Sequence, residues 1–571
     1  MPDVDEAACP RLPASDEAST EASACRTCEG DHLDDVLDTD EGEEFGRNGF
    51  TLRELWKFFG PAWIVSIAYL DPGNLETDLQ AGAQFGYSLT WVLLWSSVLG
   101  LVIQILALRL GIVSRRHLAQ HCRDEYPKAV RYVLWVLAEL MIVAVDVPEV
   151  IGTAFAIQIL SNHAIPLYGG VLLCSASTVL FLGMSQLGGS FLNCFIGLLV
   201  FIMSACFVME CVMSPPDLAG TLSGALYPRL PGGAEAVAVG IVGAVAMPHN
   251  LFLQSALVLE KSVRRERRSL EFACLYTSVE TGVALGASFL INACVLLVAA
   301  SSFAPLWCPA LEQVCEGGST ECAAGGAEAG SEKGCFPVGL ETAGHLLHKT
   351  IGNRAQYLWA IALLASGQSS TITGTLAGQF VMEGFVEMTL PRWARNLTSR
   401  LMAIVPSLVV ALVAGAKGAN DLIVAASVVC ALHLPLAIVP LLKMTDSPLK
   451  MGRCRNSPVL SFAAWMLTGV VLLANMSLVW SVVMAPLLSD ASAHAPLLAL
   501  WSSISVLYFM LLGLYLCALS CLHSCTLVHS CTLVHSCTLV HSCTLVHSCT
   551  LVHSCTLAHG NRAGSRARTY T

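Results

Sequence analysis

Residues 63–87 read WIVSIAYLDPGNLETDLQAGAQFGY, an apolar run that is interrupted in its middle by the four residues Asp71–Asn74. Proline removes a backbone hydrogen-bond donor and glycine weakens a helix, so a membrane-spanning helix should break at this point. The run is therefore predicted to form two half-helices joined by a short unwound segment. Polar residues at such a depth mark a binding site or a transport pathway by default.

A second interruption of the same kind lies in residues 240–260, which read GIVGAVAMPHNLFLQSALVLE. The residues Met247–Asn250 stand in the middle of this apolar run. The two interrupted runs are the first and the sixth of the chain, five spans apart. Two broken helices in matching positions are typical of transporters built from inverted repeats, with the substrate site near the membrane midplane.

The composition of the whole chain agrees with a membrane protein. Of 571 residues, 55% are hydrophobic and only 13% are charged, and the mean hydropathy is +0.64. These values exclude a cytosolic enzyme, a disordered chain and a nucleic-acid-binding protein. The net charge of −11 comes from residues 1–50, where fifteen Asp and Glu against three Arg give −12. This segment is predicted to be an acidic, disordered tail.

Counting apolar runs of about twenty residues predicts twelve membrane spans. Their approximate limits are 56–86, 89–113, 131–160, 166–186, 191–213, 236–259, 272–301, 355–387, 397–415, 420–443, 458–485 and 494–520. The predicted fold is all-α and polytopic, with two inverted five-helix repeats followed by two further helices. The predicted domains are the tail 1–50, a transport core 51–445, two C-terminal spans in 446–521 and a low-complexity tail 522–571.

Lysine and arginine concentrate in the loops on one side of these spans, after the second, sixth, eighth and tenth. By the positive-inside rule, this pattern predicts that both termini are cytoplasmic. The membrane itself is not specified and could be the plasma membrane or an endosomal or vacuolar membrane. The oligomeric state is also open.

Three segments outside the predicted spans contain more than one cysteine. The acidic tail has one C-x-x-C near His32, too few ligands for a zinc site without a second pair. The non-cytoplasmic loop 303–342 has four cysteines, which fit one or two disulfides or free thiols. Five copies of HSCTLV and a final HSCTLA, six near-identical copies in all, follow from His523. A metal-binding tail is one interpretation of these copies, and tandem expansion of a short DNA unit is the favoured one.

The side chains at the two breaks suit a metal ion. Asp71 offers an anionic oxygen, Asn74 a neutral oxygen and Met247 a soft thioether, and unwinding frees carbonyls such as those of Ala68 and Ala244. Magnesium and calcium take oxygen ligands almost exclusively, whereas softer divalent ions such as manganese, iron, cobalt and cadmium gain from sulfur. The breaks therefore predict a site for a transition metal.

Three acids follow one another along the third span. Glu139, Asp146 and Glu149 stand at i, i+7 and i+10, which places them within about 80° of one another on a helix. A stripe of carboxylates can pass protons across a membrane. The alternative for any one of them is a structural hydrogen bond to a neighbouring helix.

Several motifs together resemble the NRAMP family, the natural resistance-associated macrophage proteins. They are DPGN at 71–74, MPHN at 247–250, EVIGTAFAI at 149–157, ETGVALGASFLIN at 280–292 and GQSSTITGTLAGQFVMEGF at 367–385. The resemblance runs from about Phe50 to Pro440. It leaves out the acidic head and the repeated tail.

The resemblance implies a proton-coupled importer of divalent transition metals with the leucine-transporter fold. The implied metal ligands are Asp71, Asn74, Met247, the carbonyl of Ala244 and, in some states, that of Ala68. The implied proton pathway comprises Asp71, His249, Glu139, Asp146, Glu149, Arg395 and Arg400. No enzymatic activity and no cofactor are expected, since the metal (Mn²⁺, Fe²⁺, also Cd²⁺ and Co²⁺) and the protons are transported substrates.

The chain departs from the family pattern at three positions. Ser427 and His433 replace glutamines of the tenth span, and Gln254 stands where many relatives have a histidine. Two other functions remain as alternatives: a magnesium transporter of the same fold, and a transport-dead metal sensor that signals through its tails. A hydrolase is disfavoured because neither G-x-S-x-G nor H-E-x-x-H occurs.

Overall fold

A computed structural model describes Glu43, Phe45 and residues 49–58, 60–174, 189–264, 266–304, 338–350, 352–387, 392–478 and 480. All of them belong to one compact unit, Met1–Leu498. The cysteines of the acidic tail and of the 303–342 loop, the twelfth predicted span and the HSCTLV repeat lie outside the described residues.

The amino-terminal half of the described chain is helical, and its helices follow the apolar runs of the sequence. The helices are α1 (Leu52–Phe58), α2 (Pro61–Ala68), α3 (Pro72–Phe85), α4 (Thr90–Ser114), α5 (Leu118–Glu125), α6 (Lys128–Leu160), α7 (Gly189–Met213), α8 (Leu218–Leu226), α9 (Glu235–Val245) and α10 (Pro248–Leu257).

The carboxyl-terminal half continues in the same way. Its helices are α11 (Arg267–Ser302), α12 (Leu340–Thr350), α13 (Asn353–Val386), α14 (Arg392–Val413), α15 (Gly415–Asp446), α16 (Pro448–Met451) and α17 (Pro458–Leu478). The predicted all-α fold class is confirmed.

Both predicted helix interruptions are present. The first span divides into α2 and α3, with Tyr69–Asp71 between them, and the sixth divides into α9 and α10, with Ala246 and Met247 between them. In each case proline is the first residue of the second half-helix, a position where its missing N–H costs nothing. The sequence thus places both breaks correctly to within a few residues.

Most of the other predicted spans correspond to single helices, although the count of twelve stays a prediction. The fourth predicted span is helical over residues 167–174, and its remainder lies outside the described ranges. Six described helical stretches are long and apolar enough to cross a membrane, or seven if α7 and α8, bent by 116°, form one span. Several short helices were not predicted, because they are too short or too polar to register as spans: α1, α5, α8, α12 and α16.

The largest apolar core holds α3 in place against its neighbours. Buried side chains from α3, α6, α7 and α13 meet there, among them Leu75, Phe155, Phe207 and Trp359. The rings of Phe207 and Trp359 pack edge to face with centroids 5.7 Å apart. The first break therefore sits on a packed scaffold.

Close contacts at two glycines fix both breaks. A Cβ atom at Gly152 of α6 would lie 2.4 Å from Cβ of Pro72, the first residue of α3. A Cβ atom at Gly243 of α9 would lie 2.0 Å from the carbonyl oxygen of Ser427 on α15. Only glycine permits these approaches, so α3 is pressed against α6 and the end of α9 against α15.

Substitution of Gly243 with alanine is expected to destabilise the protein by about 1–3 kcal/mol, since the added methyl group must displace the backbone of α15. Thermal unfolding of the detergent-purified protein measures the loss. The matched control is Gly286→Ala on α11, where an added Cβ would have no heavy atom within 4 Å. Equal melting temperatures for the two variants would show that the α9–α15 contact is not tight.

Candidate metal-binding site

Asp71 forms the N-cap of α3. Its Oδ1 accepts the backbone N–H of Asn74 at 2.8 Å and the side-chain Nδ2 of Asn74 at 2.7 Å. An aspartate is a preferred N-cap because its oxygen satisfies a free amide at the start of the helix. The same hydrogen bonds orient the carboxylate at the break.

Asn74 connects the two breaks. Its Nδ2 also donates to the carbonyl oxygen of Ala244 at 3.0 Å, near the end of α9. Met247 follows Ala244 by three residues as the buried N-cap of α10, and Ala68 is the last residue of α2, also buried. The structure thus links Asp71, Asn74 and Ala244 directly and places Met247 and Ala68 on the segments beside them.

The side-chain oxygen of Asn74 is left available by this arrangement. Asn74 Oδ1 is buried and has no hydrogen-bond partner among the described residues. The side-chain NH₂ group of Asn74 donates to Asp71 and to Ala244, which fixes the orientation of the amide. The amide oxygen is therefore held in a fixed direction but accepts no hydrogen bond from the described part of the chain. A cation is the natural partner for such an oxygen beside a carboxylate.

Neighbouring helices support the unwound backbone of the first break. On α11, Asn292 Nδ2 donates to the carbonyl oxygen of Tyr69 at 2.8 Å, and Ser288 Oγ donates to the carbonyl oxygen of Ser66 at 3.1 Å. On α13, Ser366 Oγ donates to the carbonyl oxygen of Leu70. Unwound backbone inside a membrane is tolerated only where protein groups satisfy it.

These supporting residues were not predicted from the sequence. The available signal was their polarity inside predicted spans seven and eight. That signal is weak, since many buried Ser and Thr bond only to their own helix, as Ser407 does to Ala403 at 2.8 Å.

The site contains one carboxylate among its predicted ligands. Within the described ranges, no group of three or more His, Cys, Asp and Glu side chains is placed to hold a metal ion. A metal at the breaks would therefore depend on Asp71, the Asn74 oxygen, the Met247 thioether and backbone carbonyls. The C-terminal ends of α2 and α9 add the negative ends of two helix dipoles.

Two of the three acids on α6 come together near this site. A Cβ at Gly374 of α13 would lie 2.9 Å from Oδ1 of Asp146 and 3.5 Å from Oε1 of Glu149, so both carboxylates face the same point of α13. Both are buried. Glu149 is one turn before Gly152, which contacts the start of α3.

Glu139 lies nearer the amino-terminal end of α6 and is only partly buried. Its Oε1 accepts the indole N–H of Trp135 at 3.0 Å. Ten residues of helix separate Glu139 from Glu149, about 15 Å along the axis. The stripe predicted from the sequence thus has a close pair near the first break and one acid about three helical turns before Glu149.

The remaining predicted proton-pathway residues are placed as follows. His249 follows Pro248 in the first turn of α10, is buried, and has no hydrogen-bond partner for either ring nitrogen among the described residues. Arg395 and Arg400 lie on α14, and their side chains are outside the described part of the chain. Their pairing with the acids of α6 stays a prediction.

The three departures from the family pattern have identifiable contacts. Ser427 is beside the first break, since a Cβ at Gly73 would lie 3.4 Å from Ser427 Oγ, and its hydroxyl donates to the carbonyl of Ile423. His433 Nδ1 is 2.8 Å from the carbonyl of Val429. Gln254 Nε2 donates to Thr281 Oγ1 at 3.3 Å.

Comparison with known proteins decides the family. A family model described as natural resistance-associated macrophage protein-like, or Nramp, matches residues 62–481. This chain belongs to the Nramp family. The match covers both helix breaks and the α6 acids.

Curated relatives agree with this Nramp assignment. Metal transporter Nramp6 of Arabidopsis thaliana is 44% identical over 469 residues, which are 82% of this chain and 84% of that protein. Metal transporter Nramp3 of Oryza sativa subsp. japonica is 42% identical over 447 residues, 78% and 77% of the two chains.

A solved structure shares the fold. The manganese transporter of Eremococcus coleocola is 28% identical, with a TM-score of 0.69 over 86% of this chain and 99% of that one. This Nramp protein is accordingly an integral membrane metal transporter and not an enzyme.

Proposed function

We propose that this Nramp protein is a symporter that imports divalent transition metals with protons toward the cytoplasm by alternating access. Its substrates would be Mn²⁺ and Fe²⁺, with Cd²⁺ and Co²⁺ also accepted. The observation that carries this proposal is the Asn74 amide, which joins the two helix breaks and leaves its oxygen free beside Asp71.

The donor set supports a transition metal over magnesium. Magnesium keeps several water ligands and is bound through carboxylates and other oxygens, so a thioether would have no use in its site. Met247 stands at the start of α10, directly at the second break. A transport-dead sensor is less well supported, because both broken helices and their polar contacts are retained.

Proton coupling is supported by the position of the α6 acids. Asp146 and Glu149 face α13 together, and their helix contacts the start of α3 through Gly152 and Pro72. A proton released near Asp71 as the metal binds would find two buried carboxylates on the adjacent helix. His249 is a further buried titratable residue, in the first turn of α10 at the second break.

Substitution of Glu149 with glutamine is expected to leave Mn²⁺ binding near the wild-type level and to reduce the stimulation by an inward proton gradient about tenfold or more. The reason is that glutamine keeps the shape of the side chain but cannot carry a proton. Uptake at several external pH values and Mn²⁺ binding to purified protein measure the two effects. Glu271→Gln, in a surface pair with Arg267, is the control. Loss of binding with retained proton flux would reverse the role assigned to Glu149.

The cytoplasmic placement of both termini is supported by contacts among the positive loops. Arg123 after α4 pairs with Glu387 after α13 at 2.5 Å, and Lys450 after α15 pairs with Glu125 at 2.9 Å. Arg115 donates to the carbonyl of Val263, in the loop after α10. Three of the other positive loops thus contact the loop after α4, as loops on one side of a membrane should.

The amino-terminal segment joins the same face. The backbone of Glu43 forms an isolated parallel β-bridge with Val263. The Glu43 carboxylate forms a salt bridge with Lys57 Nζ at 2.9 Å. In the nearby helix α5, burial is the main cause that lowers the pKa of His121 to about 3. The positive charges of Lys450 and Arg116 lower it further. This histidine therefore stays neutral in the cytoplasm, and the positive charge of this face comes from Lys and Arg.

Uptake by proteoliposomes tests the proposal. The full chain should accumulate Mn²⁺ and Fe²⁺, and an inward proton gradient should increase the rate. If the rate of Mn²⁺ uptake did not depend on the proton gradient, proton coupling would be excluded. Uptake of Mg²⁺ in preference to Mn²⁺ would favour the magnesium alternative.

A further inference from the structure

Asp78 is a buried acid that the proposed mechanism does not use. It lies on α3, is 1% exposed, and neither of its carboxylate oxygens has a hydrogen-bond partner among the described residues. Buried polar groups in proteins are nearly always satisfied, and a buried carboxylate without a partner is especially costly. Its presence on the helix that begins at the metal site calls for a cation.

Glu76, two residues earlier, shows what a structural acid on the same helix looks like. It is as deeply buried as Asp78, but its Oε1 accepts Gln80 Nε2 at 2.6 Å. Its Oε2 accepts the backbone N–H of Leu340 at 2.9 Å, at the start of α12. Glu76 therefore ties α12 to α3, and Asp78 has no comparable task.

Asp78 shares a face of α3 with the metal ligands. It is four residues beyond Asn74, and residues at this spacing have Cβ atoms about 6 Å apart. Asn74 Oδ1 is the other buried oxygen of this face without a partner. Seven residues of helix place Asp78 about 10 Å beyond Asp71 along the axis, away from the break.

We propose that Asp78, together with Asn74 Oδ1, forms a second binding station for divalent cations on the non-cytoplasmic side of the Asp71 site. This inference rests on the proposed function and on the orientation with cytoplasmic termini. A metal ion entering from outside would bind first to the two oxygens and then pass to Asp71 and Met247. Asn74 belongs to both stations, so its fixed amide would guide the transfer.

The two stations differ in chemistry. The outer one has a carboxylate, which attracts divalent ions by its charge, and an amide oxygen. Both oxygens are hard ligands, so they do not favour softer metal ions. The inner one adds the thioether. The Asp78 carboxylate would thus attract divalent ions first, and the Met247 thioether would then select among them.

Kinetics of Asp78→Asn test the outer station, since asparagine keeps the size of the side chain and removes its charge. The KM for Mn²⁺ is expected to rise about tenfold, with a much smaller change in the maximal rate. Asp78→Glu should recover part of the affinity. Glu76→Gln is the matched control, which should keep the wild-type KM in the folded fraction. A wild-type KM for Asp78→Asn would overturn the proposal.

A binding measurement on purified full-length protein separates this inference from the proposed function. Asp71→Ala should retain weak Mn²⁺ binding, and adding Asp78→Asn should remove it. If the residual binding survives both changes, or if Asp78→Asn alters only proton flux, Asp78 is not a metal station. If wild-type protein transports no Mn²⁺ while this binding pattern holds, the proposed function is wrong and the station stands.

Discussion

Replacing Asp71 with asparagine is expected to reduce divalent-metal uptake at least about 100-fold while the protein remains folded. Asp71 is the anion among the predicted ligands, and at an effective dielectric near 20 a charge pair at 4 Å is worth about 4 kcal/mol. A divalent ion would lose more than that before desolvation is subtracted, so a net loss of about 3 kcal/mol, or 100-fold, is a conservative figure. Uptake by proteoliposomes at matched protein density measures it.

Asparagine is chosen because Asp71 has two roles. As the N-cap of α3 it accepts the N–H of Asn74, and asparagine caps helices about as well as aspartate. Asp217, the exposed N-cap of α8, provides the control: Asp217→Asn makes the same exchange at a cap remote from the breaks. Substantial Mn²⁺ uptake by folded Asp71→Asn protein would show that the carboxylate is not a required ligand.

Replacing Met247 with leucine is expected to lower the discrimination between Mn²⁺ and Ca²⁺ about tenfold. Leucine keeps the apolar volume but removes the sulfur, so the remaining oxygens form a site that calcium tolerates. The predicted results are weaker binding of Cd²⁺ and Mn²⁺ and stronger inhibition of Mn²⁺ uptake by excess calcium. Met247→Ala should act in the same direction.

The control for this experiment is Met203→Leu. Met203 is fully buried in the apolar core on α7, so its exchange tests the loss of a buried thioether away from the breaks. If calcium inhibits the Met247 and Met203 variants to the same extent as it inhibits wild type, the thioether of Met247 does not act as a selectivity filter.

The helix breaks could be predicted from the sequence because their cause is local. Proline and glycine inside an apolar run act on the backbone of their own helix, so DPGN and MPHN mark the interruptions without knowledge of the rest of the chain. The structure ends α2 at Ala68 and begins α3 at Pro72, close to the predicted position.

The contacts that assemble the site could not be predicted in the same way. The bond from Asn74 to Ala244 joins residues 170 positions apart, and its donor and acceptor are ordinary groups. The same holds for Asn292 and the carbonyl of Tyr69, 223 positions apart. Such pairs depend on how the helices pack.

The buried acids show what the sequence could predict and what it could not. The spacing of Asp146 and Glu149 on α6 predicted that they face one way, and both are found facing α13. Asp78 and Glu76 look alike in the sequence, two acids in one apolar run. Only their surroundings separate them, because Glu76 holds the start of α12 and Asp78 has no partner in the described residues.

The proposed function requires that a metal ion binds between the two helix breaks. Anomalous diffraction from crystals of the full chain grown with Mn²⁺ tests it most directly. The expected result is a peak bounded by Asp71, Asn74, Met247 and the carbonyl of Ala244, absent from crystals of Asp71→Asn. A strongest peak away from both breaks, or one that persists unchanged in the variant, would contradict the claim.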